Sequence, residues 1–250
     1  MEVNEYRNIF LQEKQYWLYV GIRKLTIETI NKIFSGKSNL KVLDAGCGTG
    51  GLIDELQRNF ACYGIDISDE ALKFCKVRDL NNIINASVEK IPFANNTFDI
   101  IVSIDVLYHL LVADDTAALS ELFRVLNENG ILILNLAAYE FLRSGHDDVV
   151  HTRQRYVRKE LEAKVKQAGF TITKLTYRNT VFFPLVCVIR VINKLINNQS
   201  ESDLKALPGW LNRILINILT IENKILNLIN LPFGLSIFCV AQKKKKQEAK

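Results

Sequence analysis

Residues 42–51 read VLDAGCGTGG. A short apolar run passes through Asp44 into a loop that is mostly glycine, and Gly46, Gly48 and Gly51 satisfy G-x-G-x-x-G literally. A strand, a glycine turn and a helix in succession bring backbone close to a ligand at the carboxyl edge of a sheet. Glycine removes the side chain that would block that approach. Asp66 stands twenty residues beyond Gly46, a spacing at which an acid can take ribose hydroxyls. On these residues a nicotinamide dinucleotide and other adenosyl ligands fit equally.

Asp44 separates them. A carboxylate beside the loop repels a pyrophosphate and suits a ligand that carries an ammonium group. S-adenosylmethionine has an ammonium, a sulfonium and an adenosine ribose, and no phosphate. A nicotinamide oxidoreductase is the reading that Asp44 disfavours.

Groups that could move a proton are few. The chain has three histidines, His109, His146 and His151. His109 follows IDVLY and is either a base or a packing residue. His146 and His151 fall in SGHDDVVHTRQRYVRKEL, after a strand-like segment, where loops at a strand's carboxyl end carry substrate residues. Arg153, Arg155 and Tyr156 in that stretch could bind an acidic or hydroxylated acceptor, or could form a solvated loop leading into a helix. Tyr108 and Tyr139 are rim candidates. The spacing of His146, Asp147 and His151 is poor for one helical face, and no residue is assigned to a metal. The five cysteines are scattered without a C-x-x-C pair, a usage that fits reduced thiols.

Strand and helix patterns alternate around these residues. LKVLDA (40–45), ACYGIDI (61–67), IINASV (83–88), FDIIVSID (98–105) and ILILNLA (131–137) read as strands. Helical spacing follows the first from about Leu52 to Asn59. SDEALKFCKVRD (68–79) opens on Ser68, a good N-cap, and DDTAALSELFRVLNENG (114–130) reads as a helix stopped by Gly130. The alternation predicts a parallel sheet with helices on both faces. Further on, RKELEAKVKQAGF (158–170) is a helix, TITKLTYRNTVFF (171–183) is strand-like, and LSIFCVAQ (235–242) is a last strand. Roughly fifty helical residues separate those two strands, too long for a bare loop, so they form an insertion with packing of its own. The first forty residues also read as helix, with Tyr6, Phe10, Trp17, Val20 and Ile22 for anchoring, and with the insertion they are expected to cover the acceptor pocket and make it partly apolar.

Bulk properties narrow the function classes. With 250 residues, 48% apolar and 24% charged, the chain can bury a sizeable core, which rules out wholesale disorder. The net charge is +5, but KKKKQEAK (Lys243 to Lys250) holds five Lys and one Glu and so supplies +4 of it, leaving +1 on the rest. The body offers no broad basic face, and no nucleic-acid partner is expected. MEVNEYRNIF has no apolar core of signal-peptide length, and the longest apolar run, TVFFPLVCVI, is too short to span a bilayer. The expectation is a cytoplasmic protein. The apolar helical segment and the lysine-rich tail offer peripheral contact with an anionic membrane as a second reading.

In order and spacing these segments resemble the class I S-adenosylmethionine-dependent methyltransferases, in the methyltransferase type 11 group. VLDAGCGTG matches the first motif, GIDIS the second, ASVEKIPFANNTFDIIVS the third with the entry to the fourth strand, and IDVLYHL the stretch after it. The likeness is specific over about 40–137 and looser to 182 and over 235–242. It implies an α/β fold: a Rossmann-like, doubly wound, seven-stranded sheet whose last strand is antiparallel, with a helical cap and insertion. The expected divisions are a cap at 1–38, a core at 39–183 and 234–243, an insertion at 184–233 and a basic tail at 244–250.

The resemblance also implies roles. Asp44, Ala45, Gly46, Cys47 and Gly48 hold the methionine end of S-adenosylmethionine. Asp66 holds the ribose hydroxyls and Ile67 packs on adenine. Ser87, Val88 and Glu89 line the adenine amino group, although the family often has Asp where Ser87 stands. Asp105 lies near the sulfonium or methionine end. His109, His146, His151 and Tyr156 are the catalytic candidates. The expected activity is methyl transfer to a small-molecule acceptor, sugar-, isoprenoid- or lipid-linked. The alternative from another class is a non-catalytic S-adenosylmethionine-binding or scaffolding protein of the same fold.

Overall fold

The computed structural model describes residues 3–37, 39–195 and 207–244. Two helices open the chain, α1 (Val3–Gln12) and α2 (Trp17–Ile33). Then follow β1 (Lys41–Ala45), α3 (Gly51–Leu56), β2 (Ala61–Asp66), α4 (Asp69–Val77), β3 (Ile83–Asn85) and β4 (Phe98–Ile104). Next come α5 (Asp115–Val125), β5 (Leu126–Ala137), α6 (Gly145–Val149), α7 (Arg158–Gln167) and β6 (Thr171–Arg178). The helices α8 (Phe183–Leu195) and α9 (Gly209–Leu226) lie between β6 and the last strand, β7 (Ser236–Gln242).

The seven strands form one sheet in the order β3-β2-β1-β4-β5-β7-β6. β1 to β5 pair in parallel, and β7 runs antiparallel to both β5 and β6. The chain leaves β1 in one direction and returns at β4 on its other side. The carboxyl ends of β1 and β4 therefore flank the point where strand order reverses, which is where open α/β sheets bind ligands.

Both faces of the sheet are covered, and strand alternation assigns each residue to a layer. Leu43, Ile101, Leu132 and Leu134 pack with Leu119 and Leu122 of α5 and with Leu161 and Val165 of α7. Val42, Ile100, Val102 and Ile133 face the other way, onto Leu25 and Ile30 of α2, Ile53 of α3 and Leu226 of α9. This second layer explains where the opening helices and the α8–α9 segment sit: Asn223 of α9 donates from Nδ2 to the Gly21 carbonyl of α2 at 2.9 Å. A Cβ on Gly21 would lie 2.5 Å from Leu219 Cδ1, so this helix crossing depends on glycine. Asn212 ties α9 to the α1–α2 corner, accepting from the Trp17 amide at 3.0 Å and donating to the Gln15 carbonyl at 2.8 Å.

Three boundaries differ from the pattern in the sequence. The helix expected to run to Gly130 stops at Val125, and β5 begins at Leu126, paired with Phe98. Gly130 is not a helix stop. A Cβ there would sit 2.9 Å from the Asp99 carbonyl oxygen, so glycine serves the close approach of β5 to β4 at a register shift. The third strand ends at Asn85 instead of continuing to residue 88. β6 ends at Arg178 because Asn179 turns into the left-handed region (φ 59°) and the next amides point at Glu222. The basic tail lies outside the described residues apart from Lys244. Lys243 belongs to the core, donating to the Phe123 and Leu126 carbonyls at 2.7 and 2.8 Å.

Candidate active site

The glycine loop is built from three left-handed residues, Gly46 (φ 92°), Gly48 (φ 52°) and Gly50 (φ 82°). Gly46 is also closed in, since a Cβ there would lie 2.2 Å from Val106 Cγ2. Gly48 differs: a Cβ there would meet nothing within 4 Å and would project into open space. Its backbone is thus bared toward a ligand. The Gly46 and Cys47 amides donate to the Ile65 carbonyl at 2.8 and 2.9 Å, and the Gly48 amide donates to Asp66 Oδ2 at 2.8 Å. The Ser68 amide donates to Asp66 Oδ1 at 2.9 Å. Asp66 is therefore fixed by backbone on two sides and keeps acceptor capacity for hydroxyl donors.

A cavity of about 610 Å³ opens in front of this loop. From the β1–β2 side it is lined by Asp44, Gly46, Cys47, Gly48, Asp66 and Ile67. From the β4 side come Asp105 and His109, and α6 contributes His146. The structure thus brings nine of the expected site residues to one space. Ala45, Ser87, Val88, Glu89, His151 and Tyr156 do not line it. Ala45 is buried beneath the loop, where its carbonyl accepts from Ser103 Oγ at 2.9 Å. Val88 is in the core, Ser87 Oγ accepts from the Glu89 amide, and the Glu89 carboxylate accepts from the Asp114 amide at 2.9 Å. Tyr156 is buried. Its hydroxyl donates to Asp115 and accepts from Gln154 Nε2 at 2.6 Å, so it braces the loop before α7.

The loops after β4 and β5 are stitched together, which positions the histidines. His109 and Thr152 form a bridge, and the Leu110 amide donates to the His151 carbonyl at 2.8 Å. The two imidazoles come to 5.8 Å between ring centroids. His109 Nδ1 accepts from the Leu111 amide at 3.1 Å. Burial lowers the His109 pKa to about 4, with the nearby His151 adding to the effect, so the ring is neutral near pH 7. Arg155 grips Asp147 with two bonds, 2.8 and 3.0 Å, and Arg153 is drawn to Asp115 at 3.8 Å. Both arginines singled out in the sequence already have carboxylate partners.

Charge is uneven along the cavity. Asp44 is buried, and among the described residues no cation pairs with it. Burial raises its pKa to about 8, reinforced by the Asp66 and Glu13 carboxylates. Asp105 faces the cavity from a left-handed backbone (φ 60°), held by Asn135 Nδ2 at 2.9 Å. Enclosure by the surrounding protein raises its pKa to about 6, opposed by the Asn135 hydrogen bond and the Arg178 charge.

The opening helices wall the cavity, as their pattern predicts, but the carboxylate between them had no local signal. Glu13 reaches over the start of α3: Thr49 Oγ1 and Arg78 Nη2 both donate to its Oε1 at 2.5 Å. A Cβ on Gly51 would lie 2.1 Å from Glu13 Oε2. The helix start that would cradle a pyrophosphate in a dinucleotide-binding loop is filled by this chain's own carboxylate. Tyr6, Tyr16, Trp17 and Tyr19 add an aromatic wall. The other surprise is Arg178, at the end of β6, whose only sequence signal was a lone charge in the stretch LTYRNTVFF.

Comparison with known proteins agrees with the geometry. The family model described as a methyltransferase domain matches residues 43–134, from β1 to β5. An uncharacterised protein of Methanocaldococcus jannaschii is 32% identical over 184 residues, covering 72% of this chain and 76% of that protein. The ubiquinone/menaquinone biosynthesis C-methyltransferase of Shewanella halifaxensis is 33% identical over 136 residues, 50% of this chain and 50% of that enzyme. Among solved structures, the Haloferax volcanii complex of the Trm112 methyltransferase activator with a methyltransferase aligns at TM-score 0.61 and 16% identity. The alignment covers 99% of this chain and 96% of that one, and shows the shared fold. With this family match, these relatives and the shared fold, the chain belongs to the class I S-adenosylmethionine-dependent methyltransferases of the methyltransferase type 11 group.

Proposed function

We propose that this methyltransferase acts on a small amphiphilic acceptor, isoprenoid- or lipid-linked, bound on the β4–β6 side of the cavity. The carrying observation is the division of that single space. Carboxylates and bared glycine backbone stand over β1 and β2, while the rest is lined by aromatic and aliphatic side chains of α1, α2 and α8 with polar groups set among them, Asp105, Asn135, Arg155 and Arg178 included. Asp44 faces the ammonium of the methionine end, Asp66 takes the ribose hydroxyls, and Ile67 supports adenine. S-adenosylmethionine supplies a methyl group already activated on sulfonium, so the protein has mainly to align the acceptor and exclude water. Asp105 stands at the border between the two sides. When the acceptor atom carries a proton, Asp105 removes it as the carbon–acceptor bond forms and the carbon–sulfur bond breaks. His109, neutral and a weak base, packs and orients. A quinone-biosynthesis C-methyltransferase among the relatives supports an isoprenoid-bearing acceptor. The test is an untargeted one: protein, cell extract and methyl-labelled S-adenosylmethionine, with mass spectrometry of labelled products. The expected product is an apolar small molecule. Label confined to macromolecules or to water-soluble sugars would sink the proposal.

The same reading extends to the membrane surface. Among the described residues no helix is long and apolar enough to cross a bilayer. Leu185, Val188 and Val191 of α8 and Trp210, Ile214 and Ile221 of α9 are nonetheless exposed. Exposed apolar side chains on these two helices suit shallow contact with lipid, from which an apolar acceptor would be drawn. Co-sedimentation with vesicles containing phosphatidylglycerol is expected for the wild type and is lost on Leu185→Glu combined with Val188→Glu. Equal sedimentation of both proteins would remove this extension.

A further inference from the structure

At the β6 edge of the cavity lies an arginine without an ion pair among the described residues, although its charge is felt by Asp105. Arg178 is 2% exposed, yet its guanidinium makes no ion pair among the described residues, and its Nε and Nη2 have no hydrogen-bond partner. The nearby Glu222 is committed elsewhere: its carboxylate accepts from the Asn179, Thr180 and Val181 amides at 2.5, 2.9 and 3.3 Å. A buried guanidinium is ordinarily paired, because taking that charge from water is costly when nothing faces it. The backbone under Arg178 is held tightly. A Cβ on Gly234 would lie 2.2 Å from the Arg178 carbonyl oxygen, so the β6–β7 end closes only around glycine. The position is built, not incidental.

Arg178 does not stand alone. Asn179 Oδ1 and Asn135 Oδ1 are also buried without partners, and all three residues line the cavity. In the sheet, Arg178 pairs with Ser236 of β7, and Ser236 pairs with Ala137 of β5. β6 is thus three strands from β4, roughly 14 Å at ordinary strand spacing. That backbone separation sets β6 apart from β1 and β2, which carry Asp44 and Asp66, while the Arg178 charge reaches Asp105 at the end of β4. Trp17, Leu18, Ile22, Val186 and Ile189 line the same cavity.

We infer that Arg178, Asn179 and Asn135 form an oxyanion-binding subsite for the acceptor, which is an amphiphile bearing a carboxylate or phosphate on an apolar body. Arg178 faces the anion with its fork of N–H donors. The two amide oxygens accept from a hydroxyl or N–H beside it. The apolar residues of α2 and α8 cover the hydrocarbon. This inference rests on the acceptor side proposed above, but the subsite can be tested without turnover.

The experiment uses full-length protein saturated with S-adenosylhomocysteine and titrated calorimetrically with decanoate, decyl phosphate and decanol, each kept below its aggregation concentration. At least one oxyanion ligand is expected to bind ten-fold or more tightly than decanol. Which of the two it is tells carboxylate from phosphate. In Arg178→Gln, and in Arg178→Met as a second variant, that preference disappears while decanol and S-adenosylhomocysteine bind as before. Equal affinity for all three ligands in the wild type, a comparison that needs no variant, would overturn the inference. So would a preference that survives in either folded variant. Failure of the cofactor reading would show separately, as no heat from S-adenosylhomocysteine.

Discussion

Asp44→Asn is expected to weaken S-adenosylmethionine binding by about 10²- to 10³-fold, the effect of removing one partner from a buried ion pair. The same substitution should make the ligand-free protein more stable. The pKa of Asp44 is about 8 in the folded protein, against the ordinary 3.8 of an aspartate in the unfolded chain. Between those pH values the folded protein keeps a proton that the unfolded chain has lost. Stability contributed by this group therefore falls as pH rises from about 4 to about 8, by on the order of 4 kcal/mol at pH 7. Asparagine keeps the shape and removes that slope. Calorimetric titration and urea unfolding across this range measure the two effects. Unchanged affinity would remove the main physical reason for choosing an amine-bearing, phosphate-free ligand.

Asp105→Asn should lower kcat by about 10²-fold or more, the usual loss when a positioned proton acceptor is removed. Its effect on S-adenosylhomocysteine affinity should stay within about ten-fold. Raised to about 6, Asp105 is protonated below that pH and ionised above it. The wild-type rate is therefore expected to rise through pH 6 to a plateau, and the variant should lack that limb. Asparagine can still accept the Asn135 Nδ2 hydrogen bond, so the local geometry survives the change. A variant with undiminished kcat and the same acid limb would show that Asp105 does not take the proton. His109, held near pKa 4, could not account for a limb at 6.

The donor half of this molecule was readable because its determinants are local. Asp44, the three glycines of the loop and Asp66 lie within about two dozen residues, and the strands around them are short apolar runs with few alternatives. Of the acceptor half only the covering elements, the opening helices and the insertion, were readable, because its individual side chains arrive from distant parts of the chain. Glu13 reaches Thr49, and Asn223 meets Gly21, across separations that no local pattern records. Arg153, Arg155 and Tyr156 looked available in sequence, yet they meet Asp115 and Asp147 once folded, while Arg178 inside an apolar stretch makes no ion pair among the described residues. Gly130 differs from its pattern for a related reason. A helix stop and a close strand approach both ask for glycine, and only the Asp99 carbonyl beside it distinguishes them.

The most direct measurement is calorimetric titration of the wild-type protein at pH 7 with S-adenosylmethionine, S-adenosylhomocysteine and NADH, each in phosphate and in Tris buffer. Both adenosyl amino acids should bind, and NADH should not. Because the ligand's ammonium favours ionised Asp44, binding should release close to one proton, seen as a buffer-dependent enthalpy. No heat from either adenosyl ligand up to millimolar concentration, or tight NADH binding, would contradict the account.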